Sequence, residues 1–350
     1  MEHRRPHMEL YNVPFTIDDF NGMPYRRLGR SGLRVPAVGL GTWKMGYPET
    51  GDGSRVGEKE ALKIFDRAVE LGVTFWDTAN RYNAASGNSE RVIGTWMKKN
   101  SEQRRNIVLA TKVFGGMDGS TPNHSRLSRG NILDSVYACL ERLQVDSIDL
   151  LYFHGYDKDT PVDESLQAVE DLIRQDLVRY FGVSNFSTEM LAEYRETEEQ
   201  LSSRCRVIAV QNRTDILNGE FTPNKGVLEY CKANNLSLIP HTPLATGLLT
   251  ERYLDAAKVG PGKRLFDEGN WKDISSDDQL MDRLQKLASL AHEWGYALNQ
   301  LTIAYMLSIP AIGALIPSST SLEQLESNAA AGRIKLTEEQ IGKVREIASI

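Results

Sequence analysis

The sequence predicts an α/β fold, a (β/α)8 TIM barrel entered through an N-terminal β-hairpin, and three observations point to it. Eight short segments rich in β-branched and apolar residues alternate with amphipathic helical patterns along most of the chain. A length of 350 residues suits one large α/β domain as well as two ordinary ones. The competing open, doubly wound sheet would carry a Gly-rich phosphate-binding turn that opens a helix. Here Gly39-Leu40-Gly41 is followed by Thr42 and Trp43 where helix entry is needed.

Residues 1–24 mix His, Arg, acids and isolated apolar side chains, so they read as an N-terminal extension without the apolar run of a secretory leader. Residues 25–350 read as a single barrel domain. Two short strands over 25–28 and 33–35 flank Gly29-Arg30-Ser31-Gly32 as a hairpin with glycine turns. A strand over 37–41 and a Gly/Pro-rich loop lead to a helix over 58–71, which Gly72 ends. Strands over 73–77, 107–111, 148–152, 178–183, 206–210 and 236–240 then alternate with helices over 89–99, 128–143, 162–175, 188–198 and 225–233. After an irregular stretch over 247–276 come helices over 277–294 and 298–307, a last strand over 314–316, a helix over 322–331 and a terminal helix from Thr337.

Composition excludes several classes of function. The net charge of −6 and pI near 5.7, without long runs of one sign, speak against nucleic acid or an anionic membrane as partner. The longest apolar run, 303–317, is broken by Ser308, Pro310 and Gly313 and is too short to span a bilayer. Cys139, Cys205 and Cys231 are odd in number and far apart, which suits reduced thiols and a cytoplasmic location. The six histidines have no metal-ligand spacing, so no metal is expected.

Chemistry gathers where strands end. Asp77 stands at the end of the strand over 73–77 and Tyr82 five positions later, in a loop rich in Asn, Ser and Gly. The following strands end on Lys112 and just before His154. On a barrel these positions face one mouth, so Asp77, Tyr82, Lys112 and His154 are expected to converge as a proton-transfer device. A phenol is a poor acid at neutral pH, and the Lys112 ammonium, held by Asp77, is expected to lower its pKa. His154 could donate a hydrogen bond to the same substrate oxygen, and none of the four groups has to supply the nucleophile if a cofactor brings a hydride. A strand-end lysine beside an Asp and a Tyr also describes a Schiff-base lyase or aldolase.

The motifs GLGTW at 39–43, DTANRY at 77–82, NSERVIG at 88–94, ATK at 110–112, LLYFH at 150–154 and GVSNF at 182–186 are all in place. With VQN at 210–212, TPLATGLLTERY at 242–253 and IPSSTSLEQLESN at 316–328, the chain resembles an aldo-keto reductase from about Tyr25 onward. Within that superfamily it is similar to the bacterial reductases and potassium-channel β subunits. The resemblance implies an NAD(P)H-dependent oxidoreductase that interconverts an aldehyde, ketone or sugar with its alcohol. Tyr82 would be the general acid/base, Lys112 and Asp77 would tune it, and His154 would position the carbonyl. It also leaves open a redox-sensing interaction subunit.

By resemblance the cofactor contacts are Thr42, Trp43, Asp77, Ser184, Asn185, Gln211, His241, Thr242, Pro243, Leu244, Gly247, Leu249, Arg252, Ser319, Thr320, Gln324 and Asn328. His241 stands where the family places an aromatic ring against the nicotinamide, and Arg252 suits a phosphate. The stretch 318–324 has no Lys or Arg for a 2′-phosphate; Ser319, Thr320 and Gln324 remain as donors at a helix start. NADP is favoured narrowly over NAD. Trp43, Asn80, Phe114 and Tyr156 are expected to wall the pocket for a small-molecule carbonyl substrate.

Overall fold

The computed structural model describes residues 12–116, 119–201 and 205–350; the first eleven positions of the extension lie outside the described residues. A three-stranded antiparallel sheet opens the fold: β1 (Asp19–Phe20), β2 (Met23–Arg27) and β3 (Arg34–Pro36). The hairpin pairs Tyr25 with Pro36 and Arg27 with Arg34, and β1, which lies in the extension, adds a strand to its edge. Gly29 lies in the turn with φ of +48°, and a side chain there would meet the Ile208 carbonyl at 2.3 Å. That turn is pressed against the end of a barrel strand.

The main sheet contains β4 (Leu40–Gly41), β5 (Phe75–Asp77), β6 (Val108–Val113), β7 (Ile148–Phe153), β8 (Val178–Ser184) and β9 (Val207–Gln211). A small hairpin, β10 (Thr214–Asp215) with β11 (Gly219–Glu220), is followed by β12 (Ser237–Leu238), which completes the seven parallel strands in the order β12-β9-β8-β7-β6-β5-β4. The strand expected over 314–316 is reduced to single bridges. Ile312 bridges Leu238 at one edge, while Leu315 bridges Val38 and Ser318 bridges Gly41 at the other. Pro310 and Pro317 flank this segment and cannot donate to a ladder, which is why pairing stays local. The β10/β11 hairpin has no counterpart among the sequence expectations, because two-residue strands carry no readable period.

Helices cover the outside: α1 (Glu58–Glu70), the short turn α2 (Tyr82–Ala85), α3 (Asn88–Lys99), α4 (Arg129–Leu143), α5 (Val162–Arg174), α6 (Thr188–Gln200) and α7 (Val227–Ala233). The stretch expected to be irregular carries α8 (Arg264–Asp267) and α9 (Trp271–Ser275), before α10 (Asp278–Glu293), α11 (Leu298–Ser308), α12 (Leu322–Ala331) and α13 (Glu338–Arg345).

Strand alternation sorts the side chains into two cores. Phe75, Ala110, Leu150, Tyr152, Ala209 and Ile239 form the inner one, floored by Leu28 and Val35 of the hairpin. Trp76, Leu109, Leu151, Phe153 and Val210 belong to the outer one, against the helices. Trp76 stacks on Phe65 of α1 at 4.6 Å and meets Trp96 of α3 edge-on at 4.7 Å. Because Phe75 faces inward, Asp77 two residues later does too; the same parity carries Ala110 to Lys112 and Ala209 to Gln211.

Candidate active site

At the carboxyl ends of these strands Lys112 is almost fully buried, and its ammonium has three acceptors. Nζ donates to Asp77 Oδ1 at 2.5 Å, to the Thr78 carbonyl at 2.8 Å and to the Tyr82 hydroxyl at 2.8 Å. All three hydrogens are thereby committed. The other Asp77 oxygen accepts from Gln211 Nε2 at 2.8 Å, so β9 braces the carboxylate from across the mouth. Behind it Ser89, at the start of α3, ties two loops together: it shares 2.7 Å with Thr42 Oγ1 and accepts from Thr78 Oγ1 at 2.9 Å.

Tyr82 is fixed by strained backbone. Asn83 and Ala84, next in the chain, adopt φ of 56° and 57°, a conformation costly for residues with a side chain. The Asn83 amide donates to the Met45 carbonyl at 2.5 Å, which holds the turn. The His154 ring stands edge-on to Tyr82 with centroids 5.8 Å apart.

The electrostatics run against one expectation from sequence. Burial raises the Tyr82 phenol well above its ordinary value, and the Asp77 carboxylate raises it further, so the group stays protonated. The lowered phenol pKa expected from Lys112 is therefore corrected. Burial lowers the Lys112 ammonium, against the pull of Asp77. Burial and the Lys112 charge push His154 down to about 3, and the same two causes take His241 to about 4. Both imidazoles are neutral at pH 7.

A cleft of about 440 Å³ opens on this cluster. Of the residues expected from sequence it brings together Thr42, Trp43, Asp77, Tyr82, His154, Ser184, Asn185, Gln211, His241, Thr242, Pro243, Leu244, Gly247, Arg252, Thr320 and Gln324. The loop after β12 is strained at three positions, with φ of 61°, 46° and 63° at Thr242, Ala245 and Thr246, before Gly247 at 98°, which only glycine takes without cost. Such runs persist where a site over-determines them. Arg252 folds back over this loop, and a side chain at Gly247 would lie 3.2 Å from its guanidinium.

Seven expected residues do not line the cleft: Lys112 is buried and reaches it only through Asp77 and Tyr82, and six others stand apart. Leu249 is core, and Ser319 and Asn328 are buried against each other at 3.2 Å, bracing α12 from behind. Asn80 is fully buried, with Nδ2 3.4 Å from the Gly115 carbonyl and Oδ1 without a partner. Phe114 packs on the outer core. Tyr156 donates to Glu193 at 2.6 Å and lies edge-on to Phe186.

Four cations that sequence reasoning did not select line the cleft: Lys44, Arg55, Arg213 and Arg264. Lys44 and Arg264 lie over the Trp43 ring at 4.2 and 4.8 Å. Arg55 pairs with Asp267 at 3.1 Å and Lys44 with Glu268 at 3.7 Å. Arg213 had a readable signal, since it stands two residues beyond Gln211 on the same face. Arg55 lies in a loop and Arg264 opens the four-residue α8, and neither stretch is long enough to show a period.

Residues 37–349 match the Aldo/keto reductase family. The chain belongs to that family. This aldo/keto reductase is 30% identical over 341 residues to a probable voltage-gated potassium channel subunit beta of Oryza sativa subsp. japonica, covering 93% of this chain and 96% of the relative. It is 30% identical over 348 residues to the versiconal hemiacetal acetate reductase of Aspergillus parasiticus, with the same coverage of 93% and 96%. An uncharacterized oxidoreductase of Bacillus subtilis (strain 168) is 32% identical over 330 residues, again at 93% and 96%. The family is one of NAD(P)H-dependent oxidoreductases of small carbonyl compounds with a (β/α)8 fold, the class to which the curled parallel sheet belongs. Among the described residues no helix is long and apolar enough to cross a membrane.

Proposed function

We propose that this aldo/keto reductase reduces an aldehyde or ketone, sugars included, to the alcohol, with Tyr82 as general acid and, in the reverse direction, general base. One observation carries the reading: the Tyr82 hydroxyl lies 2.8 Å from Lys112 Nζ at a cleft wall shared with His154. The donor set fits a reduced nicotinamide dinucleotide. Ser184, Asn185 and Gln211 offer amide and hydroxyl groups at one end of the cleft, and His241 offers a neutral ring. Arg252 and the strained loop 242–247 suit the pyrophosphate. Bound there, such a cofactor supplies the hydride.

The chain's own groups handle the proton. Tyr82 holds its hydrogen until negative charge develops on the carbonyl oxygen, then transfers it; Lys112, fixed by Asp77, stabilises the phenolate that remains. The charge thus helps the product of the transfer without ionising the resting phenol. Neutral His154 orients the carbonyl by a hydrogen bond, and Trp43 walls the substrate side.

The commitment of all three Lys112 hydrogens favours this reading over a Schiff-base lyase, which needs a free amine facing the substrate. We favour NADPH because Lys44, Arg55, Arg252 and Arg264 all line the cleft, a basic lining suited to a third phosphate. Paired titrations should then give tighter binding of NADPH than NADH, and equal affinities would remove the preference. A single closed barrel over residues 25–350 accompanies this proposal, as does a cytoplasmic location, supported by three free, buried cysteines. Tyr82→Phe is expected to lower aldehyde turnover by about 10²–10⁴-fold while NADPH binding stays near wild type. Undiminished turnover would reject Tyr82 as the acid.

A further inference from the structure

Tyr152 has no task in this scheme, yet its position is unusual. It is fully buried on the inner face of β7, and its hydroxyl has no hydrogen-bond partner. Phenylalanine would fill the same space without that unpaired group, so the hydroxyl is a liability to stability unless it does something.

Its neighbours suggest what. Tyr152 pairs with Lys112 on one side and with Gly182 on the other. The bare Gly182 admits the ring: a side chain there would lie 2.6 Å from Cε1 and 2.8 Å from Cδ1. The ring therefore leans across β8 toward β9. There Ala209 pairs with Gly182, and Gln211 follows on the same inward face. Gln211 Nε2 gives one hydrogen to Asp77 Oδ2 at 2.8 Å and has a second to give. Burial and the Asp77 charge both raise the Tyr152 phenol, and the Gln211 side chain, approaching as a hydrogen-bond partner but short of full hydrogen-bond geometry, acts against that rise.

We propose that Tyr152 is a positioning residue for Asp77, acting through Gln211: its oxygen takes the second amide hydrogen of Gln211 in the working enzyme. One anchor leaves the last torsion of a glutamine soft, whereas two fix the amide plane. A fixed plane holds Asp77 Oδ2, which leaves Oδ1 aimed at Lys112 and Lys112 aimed at Tyr82. Gly182 is part of the device, because any side chain there would displace the ring.

The inference rests on the reductase reading for its kinetic arm only. Tyr152→Phe, which keeps the ring, is expected to lower kcat about tenfold at saturating cofactor with KM for the aldehyde nearly unchanged. It should also shift the Gln211 side-chain NH2 signals in ¹H–¹⁵N spectra. Gln211→Leu and the double variant complete a cycle: acting through Gln211, the tyrosine change should add nothing once the amide is gone. Unchanged Gln211 signals, or effects that multiply in the double variant, would overturn the proposal. Should wild type reduce no carbonyl with either cofactor, the reductase reading fails, while the Gln211 signals still decide the role of Tyr152.

Discussion

In the proposed reduction a single oxygen, that of Tyr82, has to be an acid at neutral pH, and burial together with Asp77 keeps its proton in place. His154 is the second residue whose charge state matters. Its pKa of about 3 means that it neither gains nor loses a proton across the neutral range. We therefore expect kcat for reduction to be flat between about pH 6 and 8, with no limb near the ordinary histidine value of about 6.5. A limb near that pH which disappears in His154→Gln would contradict the neutral-donor role. Residue-level reasoning from sequence named the four groups that the fold brings together but missed the direction of the phenol shift. The sign depends on how deeply the ring is buried, and composition does not report burial.

Among the elements, the N-terminal hairpin and the β12 loop do the most for the site. The hairpin floors the inner core through Leu28 and Val35, and its turn fits only because residue 29 lacks a side chain. Gly29→Ala would drive Cβ into the Ile208 carbonyl while forcing a left-handed backbone on alanine. We expect a loss of about 2–4 kcal/mol of stability, measured by denaturant unfolding. A loss under about 0.5 kcal/mol would mean that the hairpin shifts away freely. Existence and order of these elements were legible where strands ran five residues or more, as with β6 to β9. The two-residue pieces β10 and β11 were not, and neither was the single-bridge pairing of 312–318, whose partners, Leu238 at one edge and Val38 and Gly41 at the other, lie far away in sequence.

For the whole molecule, the convergence of groups from β5, β6, β7 and β9 makes stability depend on pH. His154 and His241 are held neutral in the folded protein, to about 3 and 4, whereas the unfolded chain protonates both near 6.5. Below that pH the unfolded state binds more protons, so stability falls as pH drops from about 6.5 toward 4. Each histidine contributes up to about 1.4 kcal/mol per pH unit in that window, less whatever solvent reaches the rings. Unfolding midpoints at pH 7.0, 6.0 and 5.0 check this. The decline should be shallower in the His154→Gln, His241→Gln double variant, and an unchanged slope would assign it to other groups.

What the chain determined by itself is parity and order: period-two strands fix that Asp77, Lys112 and Gln211 share the inner face, and their succession fixes a common rim. Short-range stereochemistry is enough for that. Only the tertiary structure decided that Gln211 grips Asp77, that Tyr152 lies over Gly182, and that four unselected cations line the cleft. Those relations join residues tens to more than two hundred positions apart, and the energies that set them, desolvation and Coulomb interaction at short distance, exist only once the sheet has curled and water has left its interior.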